Sequence, residues 1–538
     1  MTTPIKTDVI IVGAGPTGLS LAVQLVRYGI DFVIFDKKTG VTDLSKALVV
    51  HARSLEIYEQ VGLAQTAVSQ GEQVQKGNIM QGGEIEACID FSDFGGQLSP
   101  FPFMLVFEQS KNEQLLYDYL HQKGVTVRWQ TELVNLSQSD RGVSAVVRQT
   151  AEDSSIQSDE TQTIEAQYLV GCDGASSPTR HFMGLPFEGS TNPRLFYVAD
   201  VDMDFSAEPG NFYAPLEESS FVLTVPMQDK NRWRLIGNMP EREDRMDEDV
   251  TFEEIEEKAG RLLHQSLNIS TVHWFSSYRV HTRHAEPFSV GRCFLAGDAA
   301  HIHTPAGGQG MNTGIQDAYN LAWKLALVIR EQAQPALLDT YSEERLANAK
   351  QLLNSTDRFF DVAAGDRWYF EAFRKTLLPV VAKVAMRFQG VREFIFEMVS
   401  EIAINYRDRA LSLHKGDRTF RVKAGDRMPY FLLADDSIYD LLHEPKFHLL
   451  IFSDEENKYQ TLQSDVINRY GDYLACNVLK LSAQVAKIFG SDQPFMVLLR
   501  PDNYIGQLTH NVSVRELETY LSDCAHLRPL ASSLSETA

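Results

Sequence analysis

Cysteine, positive charge and long apolar runs are all scarce in this chain, and each scarcity removes a class of function. The five cysteines, Cys88, Cys172, Cys293, Cys476 and Cys524, stand far apart in 538 residues. They form no CxxC pair, no zinc-ligand spacing and no disulfide framework, so a reducing cytoplasm is the expected location. Lys and Arg number 50 against 72 Asp and Glu, a formal net charge of −22. That balance argues against a nucleic-acid partner or an anionic membrane surface. No apolar stretch reaches the roughly 18 residues of a spanning helix. Met1–Asp8 leads straight into the first apolar strand, without the pattern of a signal peptide. His301 and His303 share one side of an extended segment, but no acidic or thiol set accompanies them, so no metal is expected. No catalytic triad stands out, and there is no second complete G-x-G-x-x-G, because Gly308-Gln309-Gly310 is followed by Met311, Asn312 and Thr313.

The composition is otherwise that of an ordinary globular protein, with 43% hydrophobic and 23% charged residues, and the length predicts about two or three domains. The most informative stretch is Val9–Gly18. Four apolar residues form a buried strand, and Gly13, Gly15 and Gly18 follow in the G-x-G-x-x-G spacing around Ala14, Pro16 and Thr17. Apolar residues then recur with helical period to Tyr28, Gly29 stops the helix, and a second strand ends at Asp36, beside Lys37. Strand, glycine turn, helix, strand and terminal acid make the βαβ unit that binds a dinucleotide. Its helix N-terminus faces a pyrophosphate, and the acid takes a ribose hydroxyl.

Two further anchors follow. Lys46 and Arg53 lie close in sequence to the first unit, where phosphate charge needs neutralising, and Gln109 precedes an amphipathic helix over 112–123. An apolar strand from Tyr168 runs into Cys172-Asp173-Gly174, a turn signal, with Arg180 beyond. A strand over 293–296 runs into Gly297-Asp298-Ala299-Ala300-His301, a glycine-rich loop (Gly307, Gly308, Gly310) and a long helix from about Asn312. Asp298 therefore stands at the C-terminal end of a strand, where open α/β sheets bind ligands, and the helix aims its positive end at the loop. Residues 190–285 read as strands interrupted by one helix over 251–267, a sheet inserted within the nucleotide domain. Residues 359–404 read as apolar-periodic helix broken by Gly365 and Gly390. Residues from about 424 onward read as a compact α/β module.

Together, in this order and spacing, the three anchors resemble the single-component FAD-dependent aromatic hydroxylases, the p-hydroxybenzoate and phenol hydroxylase family. The likeness is greatest to the branch that acts on phenolic and polyketide-like substrates and carries a C-terminal thioredoxin-like domain. The resemblance implies an α/β fold. A Rossmann-type FAD-binding domain would comprise 1–75, 105–190 and 285–355, and an inserted mixed β-sheet substrate domain 76–104 and 191–284. A helical segment would follow over 356–411, and a thioredoxin-like domain without CxxC over 412–538, structural or dimer-forming in role. It implies Gly13, Gly15, Pro16, Thr17 and Gly18 on the pyrophosphate, and Asp36 with Lys37 near the adenosine ribose. Lys46 stands where the family commonly has Arg. Arg53 and Gln109 match positions near the diphosphate and ribityl chain, and Asp298 the aspartate on the ribityl hydroxyls. Pro305, Gly308, Gly310, Met311 and Asn312 match the flavin loop, and Asp173 with Arg180 the Asp-Gly motif tied to FAD and NADPH.

The implied reaction consumes NADPH or NADH and O2 and hydroxylates a phenolic or polycyclic aromatic small molecule through a C4a-hydroperoxyflavin. Baeyer–Villiger, N-hydroxylating and antibiotic-inactivating outcomes stand as alternatives, and a non-catalytic FAD protein stands behind them. For the substrate, strand 220–227 places Phe221, Leu223 and Val225 on one face and Val222 and Thr224 on the other, and the sequence leaves open which face meets the flavin. Tyr213 and His51 are candidates to take a phenolic proton. The sheet's lack of clustered bases argues against a carboxylate-bearing substrate, unless Arg232 and Arg234 point inward.

Overall fold

Val9–Val12 is buried along its whole length, as a strand covered on both faces must be. In the computed structural model it is the fourth member of a five-stranded sheet ordered Ser289–Val290, Cys293–Leu295, Tyr168–Gly171, Val9–Val12, Phe32–Phe35. All neighbours pair in parallel except the Ser289–Val290 edge. The structure describes residues 3–91, 94–150, 160–205, 207–217, 220–229, 231–239, 250–304, 306–364, 388–415, 420–433 and 436–527. Helix Pro16–Arg27 opens with Pro at its first position, where the missing N–H costs nothing. A four-stranded sheet of Ile5–Lys6, Thr161–Ala166, Gly142–Gln149 and Thr131–Ser139 shares a core with the nucleotide sheet through Ile10, Val12, Leu133 and Val143.

The inserted sheet has eight strands, ordered His301–Ile302, Asn268–His284, Glu188–Asp204, Arg232–Asn238, Ser220–Pro226, Asn211–Glu217, Lys76–Gln81, Glu84–Asp90. Helix Phe252–Leu262 covers one face, packing Ile255, Ala259 and Leu262 against Tyr197, Val201, Val222 and Leu235. Alternation along each strand leaves the other side chains for the opposite face.

The C-terminal module is a five-stranded sheet ordered Leu413–His414, Ile505–Thr509, Phe495–Leu499, Phe447–Ser453, Leu474–Lys480, with helices Gln460–Tyr470, Ala483–Phe489 and Val514–Asp523. Period-2 alternation splits its strand Phe447–Ser453. Leu449 and Ile451 join the main core, whereas Leu450 and Phe452 join the module's own. At the junction, Arg500 donates to Glu344 (2.5 and 3.1 Å) and Asp502 (2.9 and 2.5 Å). Lys324 donates to Glu344 at 2.8 Å and Trp323 to Asp502 at 3.1 Å, and all of these groups are buried.

Some expected elements differ. The expected helix over 251–267 ends at Leu262. Gly390 does not break a helix but lies in the first turn of Gln389–Val399. Helix Asp339–Ala364 runs through the expected boundary at 355/356. Residues 365–387 of the expected helical segment lie outside the described residues. Among the described residues no helix is long and apolar enough to cross a membrane.

Candidate active site

The glycine turn after Val12 is built by close packing of backbone. Gly13 has φ +101, and a Cβ there would collide with the carbonyl oxygen of Cys172; a Cβ on Gly18 would collide with the carbonyl oxygen of Gly13. A Cβ on Gly15 would meet nothing within 4 Å. The loop is thus pressed against its own sheet on two sides and open on the third. Helix Pro16–Arg27 starts there with no side-chain cap, so its free N–H groups face the open ground. Thr17 fills the gap between two other glycines, since a Cβ on Gly297 or Gly314 would strike its hydroxyl. Asp36 stands half-buried at the end of the second strand and accepts from Ala14 N at 2.7 Å and Lys38 N at 2.9 Å. Lys37 and Lys46 are exposed.

The second anchor braces the third. Asp173 accepts from Ser177 Oγ at 2.5 Å and Thr179 N at 2.9 Å. Arg180 donates to the carbonyls of Ala299 (2.9 Å) and Ala175 (2.8 Å), and its guanidinium lies 3.8 Å over the Phe187 ring. The Asp-Gly turn is therefore fastened to the residue following Asp298. Asp298 itself is exposed on the short turn Gly297–Ala299, yet protein atoms crowd it closely. This enclosure raises its carboxyl above the usual range, with His301 and Lys46 opposing the rise. His301 Nε2 pairs with Asp317 at 2.8 Å.

The glycine loop turns at Gly307 (φ +77) and Gly308 (φ +67) before helix Gly310–Ile329. Asn312 holds it. Its Nδ2 donates to the carbonyls of Val49 and Gly308 at 2.8 and 2.9 Å, and its Oδ1 accepts from His51 N and Ser54 Oγ at 2.9 and 2.8 Å. All four capacities of the amide are used, so Asn312 staples the loop rather than offering its side chain to a ligand. Met311 is half-buried and its sulfur lies 3.5 Å from Asn112 Nδ2. Gln109 is likewise engaged, accepting from Ala47 N at 3.1 Å and donating to Glu113 at 3.0 Å. Glu113, which sequence reasoning missed, also receives Thr42 N and Lys38 Nζ; only its helical spacing from Gln109 hinted at it. Pro305 lies outside the described residues.

Three expectations are corrected. Arg53 does not neutralise phosphate. Its buried guanidinium donates to Glu56 (3.0 Å) and the carbonyl of Asp502 (2.8 Å), between the rings of Tyr319 and Tyr504. On helix Ala52–Glu59 it points to the C-terminal module, while His51 and Ser54 face the loop. His51 does not stand free as a base, because its Nε2 lies 2.8 Å from the carbonyl of Gly307. Burial lowers its pKa to about 4, so it is neutral and donates that bond. Tyr213 is on the wrong face. It accepts from Glu208 N at 3.1 Å and packs edge-on to Phe205, in the core under helix Phe252–Leu262.

Phe221, Leu223 and Val225 occupy the other face. Leu223 and Val225 pack with the nucleotide-domain core. Strand register sets out rows on that face: Leu223–Ile236–Val198–Ser276, then Val225–Arg234–Asp200–Trp274. Phe196 and Tyr278 flank Phe221 on the other side. Arg234 does point inward, but it is locked to Asp200 by two bonds of 2.6 and 2.7 Å, both groups being buried. The edge strand His301–Ile302 of this same sheet runs directly into the glycine loop. Two uncapped helix N-termini, an exposed acid at a strand end and an apolar sheet face suit a dinucleotide whose reactive end meets an apolar molecule.

The FAD binding domain family matches residues 6–356. The chain belongs to the FAD-dependent aromatic hydroxylases. It is similar to 6-methylpretetramide 4-monooxygenase of Streptomyces rimosus, 32% identical over 83% of this chain and 80% of that one. Pentachlorophenol 4-monooxygenase of Sphingobium chlorophenolicum is 29% identical over 96% and 97%. Among solved structures, the anhydrotetracycline hydroxylase OxyS of Streptomyces rimosus aligns with a TM-score of 0.75 and 26% identity, over 98% of this chain and all of that one. The chain is a flavin-dependent monooxygenase using FAD, NAD(P)H and O2.

Proposed function

We propose that this monooxygenase hydroxylates an uncharged phenolic or polycyclic aromatic lying on the Leu223–Ile236–Val198 row. The observation that carries the reading is the inner sheet face, where an apolar row lies beside an arginine already neutralised by Asp200. A flat ring system loses little by leaving water for such a surface. A carboxylate would find its one inward-facing partner on these rows occupied. In this reading the Gly13–Gly18 turn and the first turn of Pro16–Arg27 cradle the pyrophosphate, and Asp36 takes the ribose. Lys46 supplies charge near the phosphates, Asp298 holds the ribityl chain, and the Gly308–Asn312 backbone lies against the ring. When bound, FAD supplies the redox and oxygen chemistry. The chain supplies placement, and the positive end of helix Gly310–Ile329 favours negative charge beside the loop.

The test is NAD(P)H consumption by the yellow protein across matched pairs of aromatics with and without a carboxylate. Stimulation confined to the uncharged members is expected. Preference for the carboxylated members would overturn the substrate reading and leave the flavin assignment standing.

A further inference from the structure

Glu401 is a buried carboxyl outside the FAD-binding and substrate residues described above. It follows helix Gln389–Val399 in a left-handed backbone conformation (φ +61) that a side-chain-bearing residue adopts at a cost, and it is 3% exposed. Its Oε1 lies 3.0 Å from Thr313 Oγ1, and its Oε2 is hydrogen-bonded to Gln316 Nε2. Both partners stand on the opening turns of helix Gly310–Ile329. The same Thr313 hydroxyl lies 3.0 Å from the carbonyl oxygen of Gln309, in the glycine loop. The Gln309 side chain in turn donates to the carbonyl of Met398 at 3.2 Å. The turn 398–401 therefore grips the loop at two points.

The Thr313 hydroxyl has one proton and two oxygens in reach, Glu401 Oε1 and the Gln309 carbonyl. A threonine hydroxyl carries one proton, and a carbonyl only accepts. If Thr313 donates to Gln309, the atom facing Thr313 on the other side must be a donor. Gln316 Nε2 is itself a donor, so Glu401 Oε2 accepts. Every contact is satisfied if Oε1 carries a proton. With an ionised Glu401 the hydroxyl would turn to the carboxylate, and the Gln309 carbonyl would keep only its bond from Thr313 N at 2.8 Å. The charged groups around it are Asp317, on the same helix as Thr313, and Arg345 from helix Asp339–Ala364. Arg345 is engaged with Asp317 at 2.6 Å, Tyr406 at 2.8 Å and the Thr313 carbonyl at 3.2 Å.

We propose that Glu401 is a positioning residue held as the neutral acid, relaying a hydrogen bond through Thr313 to the Gln309 carbonyl and so fixing the glycine loop for FAD. The proposal rests on the FAD reading of the loop. Burial independently raises the Glu401 pKa to about 8. An acid whose pKa is higher folded than unfolded favours the fold below its unfolded value, near 4.3, and loses that contribution as pH rises through the folded one.

The experiment compares wild type, Glu401→Gln and Glu401→Ala by FAD titration of the apoprotein and by apoprotein Tm from pH 5 to pH 9. A glutamine can donate to Thr313 and accept from Gln316, as the neutral acid does. Its FAD Kd is expected to stay within about twofold of wild type at pH 7 and to remain flat to pH 9, where wild type weakens by roughly fivefold or more. The Tm difference between Glu401→Gln and wild type should grow in the variant's favour from pH 5 to pH 8, and Glu401→Ala should weaken FAD at every pH. Glutamine as damaging as alanine at pH 7, or a Tm difference independent of pH, would overturn the proposal. If wild type takes up no FAD the loop reading fails, and the apoprotein Tm comparison still decides the state of Glu401.

Discussion

Gly13 and Gly15 stand two residues apart in one motif and answer to different constraints. Gly13 combines a positive φ with backbone contact on its missing side chain, so Gly13→Ala should cost about 2–4 kcal/mol of stability. Gly15 has ordinary φ (−83) and empty space beyond it. Gly15→Ala should change stability by less than about 0.5 kcal/mol while weakening FAD roughly tenfold or more, since the methyl enters ground meant for the ligand. Denaturant unfolding of the apoproteins and FAD titration separate the two effects. A Gly15→Ala protein that binds FAD normally would remove the pyrophosphate from that turn. These glycines and Asp36 are legible in the sequence because turn, approach and strand end follow from local spacing. Arg53 is not, because closeness along the chain does not say which side of a helix a residue takes, and here the C-terminal module claims it.

At the scale of the element, the inserted sheet is half legible. Alternation separates Phe221, Leu223 and Val225 from Val222 and Thr224, but only the helix on one face decides which set is inward, and that helix also settles Tyr213. Nor does the sequence pair Arg234 with Asp200, which lie 34 residues apart. The pair makes a prediction. Asp200→Asn leaves a buried guanidinium short of an anion, which should cost about 3–5 kcal/mol. An aromatic carboxylate should now bind, tighter by about tenfold or more, by supplying the missing charge. Binding titrations of a matched phenol and hydroxybenzoate check it. Equal preference in wild type and variant would place Arg234 away from the substrate.

The whole molecule is one body because the C-terminal module shares the main core and closes a buried charge cluster on it. Removing one partner there leaves the others uncompensated. Glu344→Gln, facing Arg500 and Lys324, should lose about 3–5 kcal/mol, read by denaturant unfolding. Its partners come from distant segments, so no local pattern foretells the cluster. Burial also holds His51, His303 and His448 down to about 4. A histidine with a folded pKa below its unfolded value of about 6.5 contributes stability above that pH and loses it as pH falls toward 4. Apoprotein Tm should therefore drop across that window. Replacing His448, which lies in the C-terminal module away from the loop, with Gln should make the drop shallower.

Oxygen insertion into an uncharged aromatic is decided by turnover under labelled dioxygen with NAD(P)H, counting product and peroxide. An uncharged phenolic polycycle is expected to accelerate NAD(P)H consumption and to leave carrying one labelled oxygen on a ring carbon, with little peroxide. Consumption that no aromatic accelerates, or that yields peroxide alone, would contradict it.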